Sequence, residues 1–547
     1  MAYPSTLDTF SGTTAQGTSL LTSPDHAADH RTLGSAASAL EQKIGVGVGT
    51  PKANYALIGQ GNGTSTWGTV WNNANLGTPI ITGGTIASAT LTTVSMVSGT
   101  IGTAVTGFAK PFVTVGTSEA DYITDGTADE VQIQDAIASL GTVGGEVYIK
   151  SGTYTLSWHL DSSGLIPWVN YYCVDVPSNV HINGAGVANT YIQTDAFTVG
   201  TFGGEIFYTT ESGRSNIKIE NMTLAVPSYA TADASNAAGF ISVGCSNITL
   251  RDLSMINGGW AIRGGTYSYS TATKVLTTDS RYATVENVRT TNGLGSNAIV
   301  CANDIFIKNC QFLSWADDPF LISTGGQNII FEDCLFDGES QTSDGSSTAG
   351  LYILNDAAVS AELDIIKNIT IKNCTIKNWN LPAGNCRGIS IALARDILID
   401  GNLIENVKEI GIDNSAQSSK NITIVNNTIR QNGSDGIAFR SAANCTTFSL
   451  LIANNRIYNN GAGSGIGISA YSSDSGGTLS GITVIGNEVY DNAATAKMNQ
   501  GIIIYGGGSG TATNGVFVGN NTHDLSGTLG LVSGFGTAIK TGNLGGW

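Results

Sequence analysis

The chain has 547 residues, of which 70 are Gly and only 12% are charged, and its formal net charge is −17 at neutral pH. The sequence has too few of the strong helix formers for a helical protein, so it predicts an all-β fold rich in turns. Acidity argues against a nucleic-acid partner, and there is neither an 18-residue apolar run for membrane insertion nor a basic, apolar signal peptide at the start.

Residues 24–44 are predicted to form a helix. Ser23 is a good N-cap, Pro24 suits the first helical position and Gly45 ends the helix. An apolar stripe with alternating spacings of 4 and 3 follows one face, which is the heptad seam of a coiled coil and needs a partner helix. The stripe consists of His26, His30, Leu33, Ala37, Leu40 and Ile44. We therefore interpret residues 1–45 as an attachment and oligomerisation segment.

Two histidines, His26 and His30, lie in this seam. One interpretation is a metal site or a pH-sensitive clamp at the axis of the oligomer. The other is that they set the register and the oligomer number, as polar seam residues usually do, or belong to a frayed first turn.

Residues 46–109 are rich in Gly and Thr and predict a β-prism-like stem. An apolar residue recurs every five positions, at Ile81, Ile86, Leu91, Met96 and Ile101. One apolar residue in five is too few for a globular core but suits the inside of a narrow prism. The preceding segment, residues 56–70, reads as a hairpin. Disorder of the zone is the alternative.

Residues 110–205 are predicted to begin a solenoid. The sequence EADYITDGTADEVQIQDAIASLGTVGGEVYIKSGTYTL starts at Glu119, and an NGAG turn follows at 183–186. A helix over about 129–140 would cover the exposed first coil. This arrangement resembles the first segment of pectate-lyase-like β-helix proteins, which implies a right-handed parallel β-helix.

Residues 206–547 contain a repeat of the form N-apolar-x-apolar-x-N-x-x-apolar and are predicted to form the β-helix body and its C-terminal cap. Copies include SNIKIENMTL (215–224), NDIFIKNCQF (303–312), KNITIKNCTI (367–376) and KNITIVNNTI (420–429), and YATVENVRT (282–290) is a weaker one. The repeat predicts a single-stranded helix of about eleven coils at ~4.8 Å each. Asn in the turns can adopt positive φ and bond to the Asn one coil away, as a polar ladder.

Cys310, Cys334 and Cys374 occupy one position of three successive copies. They predict stacked interior thiols, not a disulfide framework or a catalytic nucleophile. We predict no cofactor, since the sequence contains no P-loop, GxSxG or calcium-binding nonapeptide.

The N-terminal zones resemble the virion-proximal part of phage tail fibres and spikes. The resemblance implies a homotrimer made in the host cytoplasm, carried on the virion tail, bound to tail or baseplate proteins through its N-terminus and directed at a host surface glycan. Three functions stay open. They are glycan or receptor recognition through the β-helix, depolymerisation of the glycan by hydrolysis or elimination, and a purely structural spacer.

The segment WADDPFLIS (315–323) is the best candidate for catalysis and resembles the paired-Asp strand of polygalacturonases. Asp317, Asp318 and Glu339 are the candidate carboxylates. Stacked coils would place Asp317 and Glu339 roughly 8 Å apart, as in an inverting pair. The Gly-His-Gly and Arg-x-Lys elements of that family do not follow, and exposed turn carboxylates are the alternative.

Four aromatic residues are candidate glycan contacts on the surface: Trp315, Tyr352, Trp379 and Trp260. Their rings could stack on sugars. The alternative is that they pack under loops.

Overall fold

The computed structural model describes two short strands near the N-terminus and most of the chain after residue 110. The described residues are 55–59, 65–69 and 111–543 except 161–168, 196–202, 210, 227–237, 265–266, 271–274, 279, 294–296, 316–317, 324, 340–348, 355–365, 381–385, 415–416, 442–444, 462–464, 473–475, 496, 507–510, 526–529 and 534–537.

The chain divides into two compact units, residues 1–102 and 103–547. In the first unit, β1 (Tyr55–Gly59) and β2 (Ser65–Thr69) pair antiparallel, which confirms the predicted hairpin. The predicted helix with His26 and His30 and the five-residue period lie outside the described residues, so the coiled coil and the prism stay predictions.

The second unit begins with β3 (Phe112–Gly116), β4 (Tyr122–Ile123) and the helix α1 (Glu130–Ser139). Ile133, Ala136 and Ile137 are spaced for one helical face, and all three are buried. A single 3-10 turn, Gly141–Val143, follows the helix. α1 contacts β3 and β4, so the predicted capping helix is confirmed.

Most other strands build the solenoid. In chain order they are β5 (Gly145–Ile149), β6 (Gly152–Leu156), β7 (His159–Leu160), β8 (Val169–Asp175), β9 (Val180–Gly184), β10 (Thr190–Thr194), β11 (Gly203–Tyr208), β12 (Ser215–Ala225), β13 (Ala238–Val243), β14 (Ser246–Ile256), β15 (Gly259–Arg263), β16 (Tyr267–Ser270), β17 (Val275–Thr278), β18 (Ser280–Thr291), β19 (Asn297–Val300), β20 (Ala302–Lys308), β21 (Gln311–Leu313), β22 (Phe320–Ser323), β23 (Gln327–Glu332), β24 (Leu335–Asp337), β25 (Ala349–Leu354), β26 (Ile366–Lys372), β27 (Thr375–Lys377), β28 (Arg387–Ala392), β29 (Ala394–Asp400), β30 (Leu403–Glu405), β31 (Ile412–Asp413), β32 (Ser419–Val425), β33 (Thr428–Arg430), β34 (Ile437–Ser441), β35 (Thr446–Ala453), β36 (Arg456–Tyr458), β37 (Gly465–Ser472), β38 (Thr478–Ile485), β39 (Glu488–Tyr490), β40 (Met498–Gly506), β41 (Thr511–Thr513), β42 (Gly515–Val518), β43 (Asn521–His523), β44 (Gly530–Ser533) and β45 (Ala538–Thr541).

Together with β3 and β4, all of these strands except β16 and β17 stack into two sheets of 27 and 14 strands, which we call the long and the short sheet. The coil of β20, β21 and β22 is typical: its first two strands join the long sheet and its third joins the short one. Each strand pairs parallel with its counterpart one coil on, apart from β7, which pairs antiparallel with β8. Two strands outside the stack, β16 and β17, form an antiparallel hairpin.

Side chains point alternately into and out of the solenoid along each strand, and the inward ones fill its interior. In β23, Ile329 and Phe331 point inward and are fully buried, and they pair in register with Ile305 and Ile307 of β20. Burying a side chain of this size contributes about 1.5–3 kcal/mol. Because each coil repeats the pattern, one continuous hydrophobic core runs through the solenoid.

Each coil turns between its two long-sheet strands at a residue with positive φ, followed by a buried residue. In the C-terminal coils this buried residue is Asn, and each side chain donates from Nδ2 to Oδ1 of the next at 2.9–3.0 Å. We call it the inner ladder: Asn402, Asn427, Asn455, Asn487, Asn520 and Asn543. The predicted Asn ladder is confirmed. In this inner ladder positive φ and the buried amide belong to adjacent residues, such as Asn426 and Asn427, whereas Asn216 both has positive φ and bonds to Asn179 one coil away.

The predicted thiol stack is confirmed as well. Cys310, Cys334 and Cys374 are buried, free, and occupy the inner position in the coils just before the ladder. Cys374 joins the two stacks, because its backbone N–H donates to Oδ1 of Asn402 at 2.8 Å. Burial raises the pKa of Cys310, so this thiol stays neutral.

We expect Asn455→Ala to lower the free energy of unfolding by about 2–5 kcal/mol, because the carbonyl of Ile424 and the N–H of Asn427 lose their buried partners. Denaturant unfolding measures the change. Thr423→Ala, at a half-buried position one coil earlier, is the control and should cost under about 1 kcal/mol. An equal loss in both variants would contradict the ladder's role.

Candidate functional site

Among the described residues, the predicted carboxylates do not form a catalytic pair. Asp317 lies outside the described residues. Asp318 is buried, and its Oδ1 accepts a hydrogen bond from the N–H of Ala349 in the next short-sheet strand at 2.8 Å, so it links two coils. Glu339 is exposed, and its N–H donates to Oδ1 of Asp337. The pairing of Asp317 with Glu339 stays a prediction.

Three of the four predicted surface aromatics are in the core. Trp260, Trp315 and Trp379 are 0–1% exposed, so the expectation that they present rings to a glycan is wrong. Glycines make room for them: a Cβ at Gly293 would lie 2.0 Å from the Trp315 ring. Tyr352 is half-buried on β25, between Leu321 and Ser390 of neighbouring coils, and its role stays a prediction.

A second position with positive φ lies at or near the start of the long-sheet strands and forms an outer column. From residue 179 to 421 this column carries Asn or Asp at every described coil but one: Asn179, Asn216, Asn247, Tyr282, Asp304, Asn328, Asn368, Asp396 and Asn421. The amides bond from coil to coil, Asn216 to Asn179 at 2.7 Å and Asn328 to Asp304 at 2.9 Å. Tyr282 interrupts this ladder.

Tyr282 has a strained backbone and an exposed ring. Its φ is 58° and its exposed fraction is 57%. The left-handed conformation costs an ordinary residue about 1–2 kcal/mol, which Asn avoids more readily than a bulky aromatic residue. Packing offsets little of this cost, since more than half of the residue is exposed to solvent. Strain of this kind is typical of functional positions.

A groove of about 320 Å³ opens where Tyr282 breaks the column, which we call the Tyr282 groove. Its walls are Asn247, Ile248, Thr249, Tyr282, Ala283, Thr284, Asp304 and Phe306. Thr249, Thr284 and Phe306 lie side by side on three successive coils, because they pair in register. The groove therefore combines two aromatic side chains with hydroxyl, amide and carboxylate groups.

A charged cluster lies on the same face of the long sheet, on β14, which also lines the groove, and on the three coils before it. We call it the His181 cluster: Glu146, His181, Lys218, Glu220 and Arg251. Register connects the two features, since Lys218 pairs with Thr249 of the groove. Oε1 of Glu220 lies 2.7 Å from Nε2 of His181 and 2.5 Å from Nζ of Lys218, and Oε2 lies 2.5 Å from Nη2 of Arg251.

Glu220 is the centre of this cluster. Burial alone would raise its pKa, but hydrogen bonds from Lys218, Arg251 and His181 outweigh burial and lower the pKa. Both ring nitrogens of His181 lie near a carboxylate, since Nε2 is close to Glu220 and Nδ1 is 3.6 Å from Oε2 of Glu146. The cluster is thus a closed ionic network. Among the described residues no group of three His, Cys, Asp or Glu side chains could hold a metal ion.

The sequence contained a signal for the groove. The other copies of the repeat in this region carry Asn or Asp at the equivalent position, such as Asn216 and Asp304, whereas the weaker copy 282–290 carries Tyr282. The His181 cluster has no such signal, because His181 and Glu220 are 39 residues apart in the chain.

Comparisons with known proteins confirm the fold class. The family model described as a right-handed beta helix region matches residues 297–473 and 366–543. The chain therefore contains a right-handed parallel β-helix, as the sequence predicted. No curated protein matches it significantly. Among the described residues no helix has the length and apolar character needed to span a membrane.

Solved structures show the same architecture at low identity. The A-module of mannuronan C-5 epimerase AlgE6 from Azotobacter vinelandii is 17% identical, with a TM-score of 0.52 over 78% of this chain and 97% of its own. The AlgE4 A-module from the same organism is 17% identical, with a TM-score of 0.49 over 77% and 98%. Tailspike protein 3 of bacteriophage CBA120 is 10% identical, with a TM-score of 0.39 over 76% and 58%. At these identities the likeness shows the fold alone.

We expect Glu220→Gln to destabilise the protein at pH 7 by about 1–3 kcal/mol, because three buried or half-buried donors lose a charged acceptor. The lowered pKa of Glu220 means that its contribution is complete above the unfolded value near ~4.3 and is lost as pH falls through the folded value. The difference from wild type should therefore shrink below about pH 4.

Glu332→Gln is a matched control, since Glu332 lies on the same strand face but pairs only with Lys372 at 3.2 Å. Its effect should stay below about 1 kcal/mol. Thermal unfolding between pH 3 and pH 7 measures both variants, and a pH-independent Glu220→Gln effect would contradict the assignment.

Proposed function

We propose that this chain is a virion tail spike or fibre that recognises a neutral polysaccharide of the host surface at the Tyr282 groove. The observation that carries the proposal is an exposed tyrosine kept in a strained conformation where the other described coils from residue 179 to 421 use Asn or Asp. Backbone strain at a residue that gains little from packing motivates the hypothesis of a role outside the fold.

The chemistry of the groove favours a sugar. Pyranose rings have an apolar face, which suits the rings of Tyr282 and Phe306, and hydroxyl groups at the edge, which suit Asn247, Thr249 and Thr284. None of the eight described residues that line the groove is cationic, and Asp304 adds negative charge. Together with the net charge of −17, this disfavours acidic glycans and favours neutral ones.

Recognition fits the groove better than cleavage. Hydrolysis of a glycan requires two carboxyl groups across the scissile bond. Among the described lining residues Asp304 alone supplies a carboxyl group, and its Oδ1 already accepts a hydrogen bond from Asn328. Depolymerisation by Asp317 and Glu339 is a second candidate that rests on the sequence pattern.

The assignment to a virion rests on the N-terminal zones, which resemble tail fibres and spikes. The heptad seam over 24–44 needs partner helices, and homotrimers are what this resemblance implies. In this proposal residues 1–45 bind the tail or baseplate, and the β-helix meets the host glycan.

Tyr282→Asn is the sharpest test, because it restores the column residue while removing the ring. We expect the melting temperature to stay equal or rise, since strain of about 1–2 kcal/mol is relieved. Binding at the groove should fall at least tenfold. Calorimetry against the tetrasaccharides of mannan, dextran and galactan, with alginate and polygalacturonate as acidic comparisons, measures it.

Tyr282→Phe keeps the aromatic face and should bind within a few-fold of wild type. Thr370→Ala, on the same face of the long sheet three coils away, should bind as wild type. Unchanged tetrasaccharide affinity in Tyr282→Asn, or a preference for the acidic polymers, would contradict the proposed site.

Deleting residues 1–109 tests the assembly. We expect a folded, soluble β-helix that is monomeric or weakly associated, while the full-length chain is a trimer. Light scattering coupled to size exclusion gives both masses. A monomeric full-length chain would contradict the assembly model.

A further inference from the structure

The carboxylate of Asp304 is the single charge among the described residues that line the Tyr282 groove. Its Oδ1 accepts a hydrogen bond from Nδ2 of Asn328, one coil on, at 2.9 Å. Its Oδ2 accepts no hydrogen bond and forms no ion pair within the part of the chain that the structure describes. Arg281, next to Tyr282 in the sequence, instead donates from Nε to the carbonyl of Thr278 at 3.1 Å.

The interruption at Tyr282 explains why acceptor oxygens face the groove. In the outer column each amide donates from Nδ2 to the residue one coil toward the N-terminus, Asn216 to Asn179 at 2.7 Å and Asn247 to Asn216 at 3.1 Å. Tyr282 has no amide, so Oδ1 of Asn247 accepts no bond from the coil that follows it. Asp304 has no N–H to donate to Tyr282. The coils on both sides of Tyr282 therefore present oxygen acceptors to the groove.

The second aspartate of the outer column, Asp396, has a different environment. Its Oδ1 accepts a hydrogen bond from Asn421 at 2.7 Å, as Oδ1 of Asp304 does from Asn328. Its Oδ2, however, pairs with Arg395. The residue in register with Arg395 beside Asp304 is Asn303, which has no charge. The column therefore accepts a carboxylate at either coil, but only Asp304 keeps its charge uncompensated by the described residues.

These groups are the ones that bind an ammonium ion. A carboxylate accepts strong, charge-assisted hydrogen bonds from a protonated amine, and aromatic rings attract cations to their faces. The ring of Tyr282 is accessible, since the residue is 57% exposed, and Phe306 is half-buried beside it. A hydroxyl group in the same place could also donate to Asp304, but it would gain neither the ionic attraction nor the contact of a cation with a ring. The net charge of −17 adds a long-range attraction for cations.

We propose that the Tyr282 groove prefers an amino sugar, whose protonated amine lies against the carboxylate of Asp304, and that Asp304 sets this preference. This inference rests on the proposed function. It narrows the ligand from any polysaccharide without acidic groups to one that contains sugars with free amino groups. The apolar face of the same sugar still packs on the rings of Tyr282 and Phe306.

The tetrasaccharides of chitosan, chitin and cellulose test the preference. Their backbones are the same, and they differ only in the group on carbon 2 of each sugar, which is an amine, an acetamide or a hydroxyl. Calorimetry uses the full-length chain at about pH 5.5, where the amine is protonated and an aspartate is ionised. We expect the chitosan tetrasaccharide to bind about tenfold or more tightly than the other two. Added salt should reduce this difference, because it screens exposed charges.

Asp304→Asn removes the charge and little else. The variant keeps an Oδ1 acceptor for Asn328, and Asn adopts positive φ elsewhere in the same column. Affinity for the chitosan tetrasaccharide should fall to that for the cellulose one. Asp396→Asn is the matched control, since it makes the same change in the same column outside the groove, and it should keep the preference of wild type. Melting temperatures show that each variant is folded.

The possible outcomes separate this inference from the proposed function. Equal binding of the three tetrasaccharides by wild type, lost in Tyr282→Asn, would overturn the amino-sugar preference and leave the groove in place. A preference that persists in folded Asp304→Asn would overturn the role of Asp304. Binding of all three that is unchanged in Tyr282→Asn would overturn the groove itself. Tetralysine bound as tightly as the chitosan tetrasaccharide would overturn the preference for a sugar, because the groove would then respond to charge alone.

Discussion

The fold depends on one constraint: a chain that turns at the same place in every coil must satisfy the polar groups that each turn buries. A positive-φ residue makes the bend, and the next side chain then points into the core. In the N-terminal coils that side chain is apolar, in the middle coils a thiol, and in the C-terminal coils an amide. The thiols make weak bonds to the preceding coil, such as that from Cys334 Sγ to the carbonyl of Ile307 at 3.7 Å. The amides bond to one another along the stack, so Asn402 to Asn543 bind each coil to the next.

Features that repeat along the chain could be predicted from the sequence. The alternation in copies such as 327–336 predicts which residues are buried, because strand geometry fixes it locally. The capping helix, the hairpin at 55–69 and the thiol stack follow from short segments in the same way. Each of these predictions requires only a segment of about a dozen residues, or three equivalent positions of the repeat.

Features that depend on neighbouring coils could not be predicted. Trp315 is buried because glycines of earlier coils leave space for its ring. The residues next to Trp315 in the sequence do not indicate this burial. The groove joins Asn247, Tyr282 and Asp304, whose separations in sequence differ because the loops between coils differ in length.

The hydrogen bonds between coils also have a mechanical consequence. In a parallel solenoid they point along the stacking direction, as does every rung of the inner ladder. Compression along that direction presses together coils that are already in contact, and all strands of a coil share the force. A pull opens the coils from one end in sequence, each step breaking one set of rungs. The solenoid should therefore resist compression along its axis better than tension.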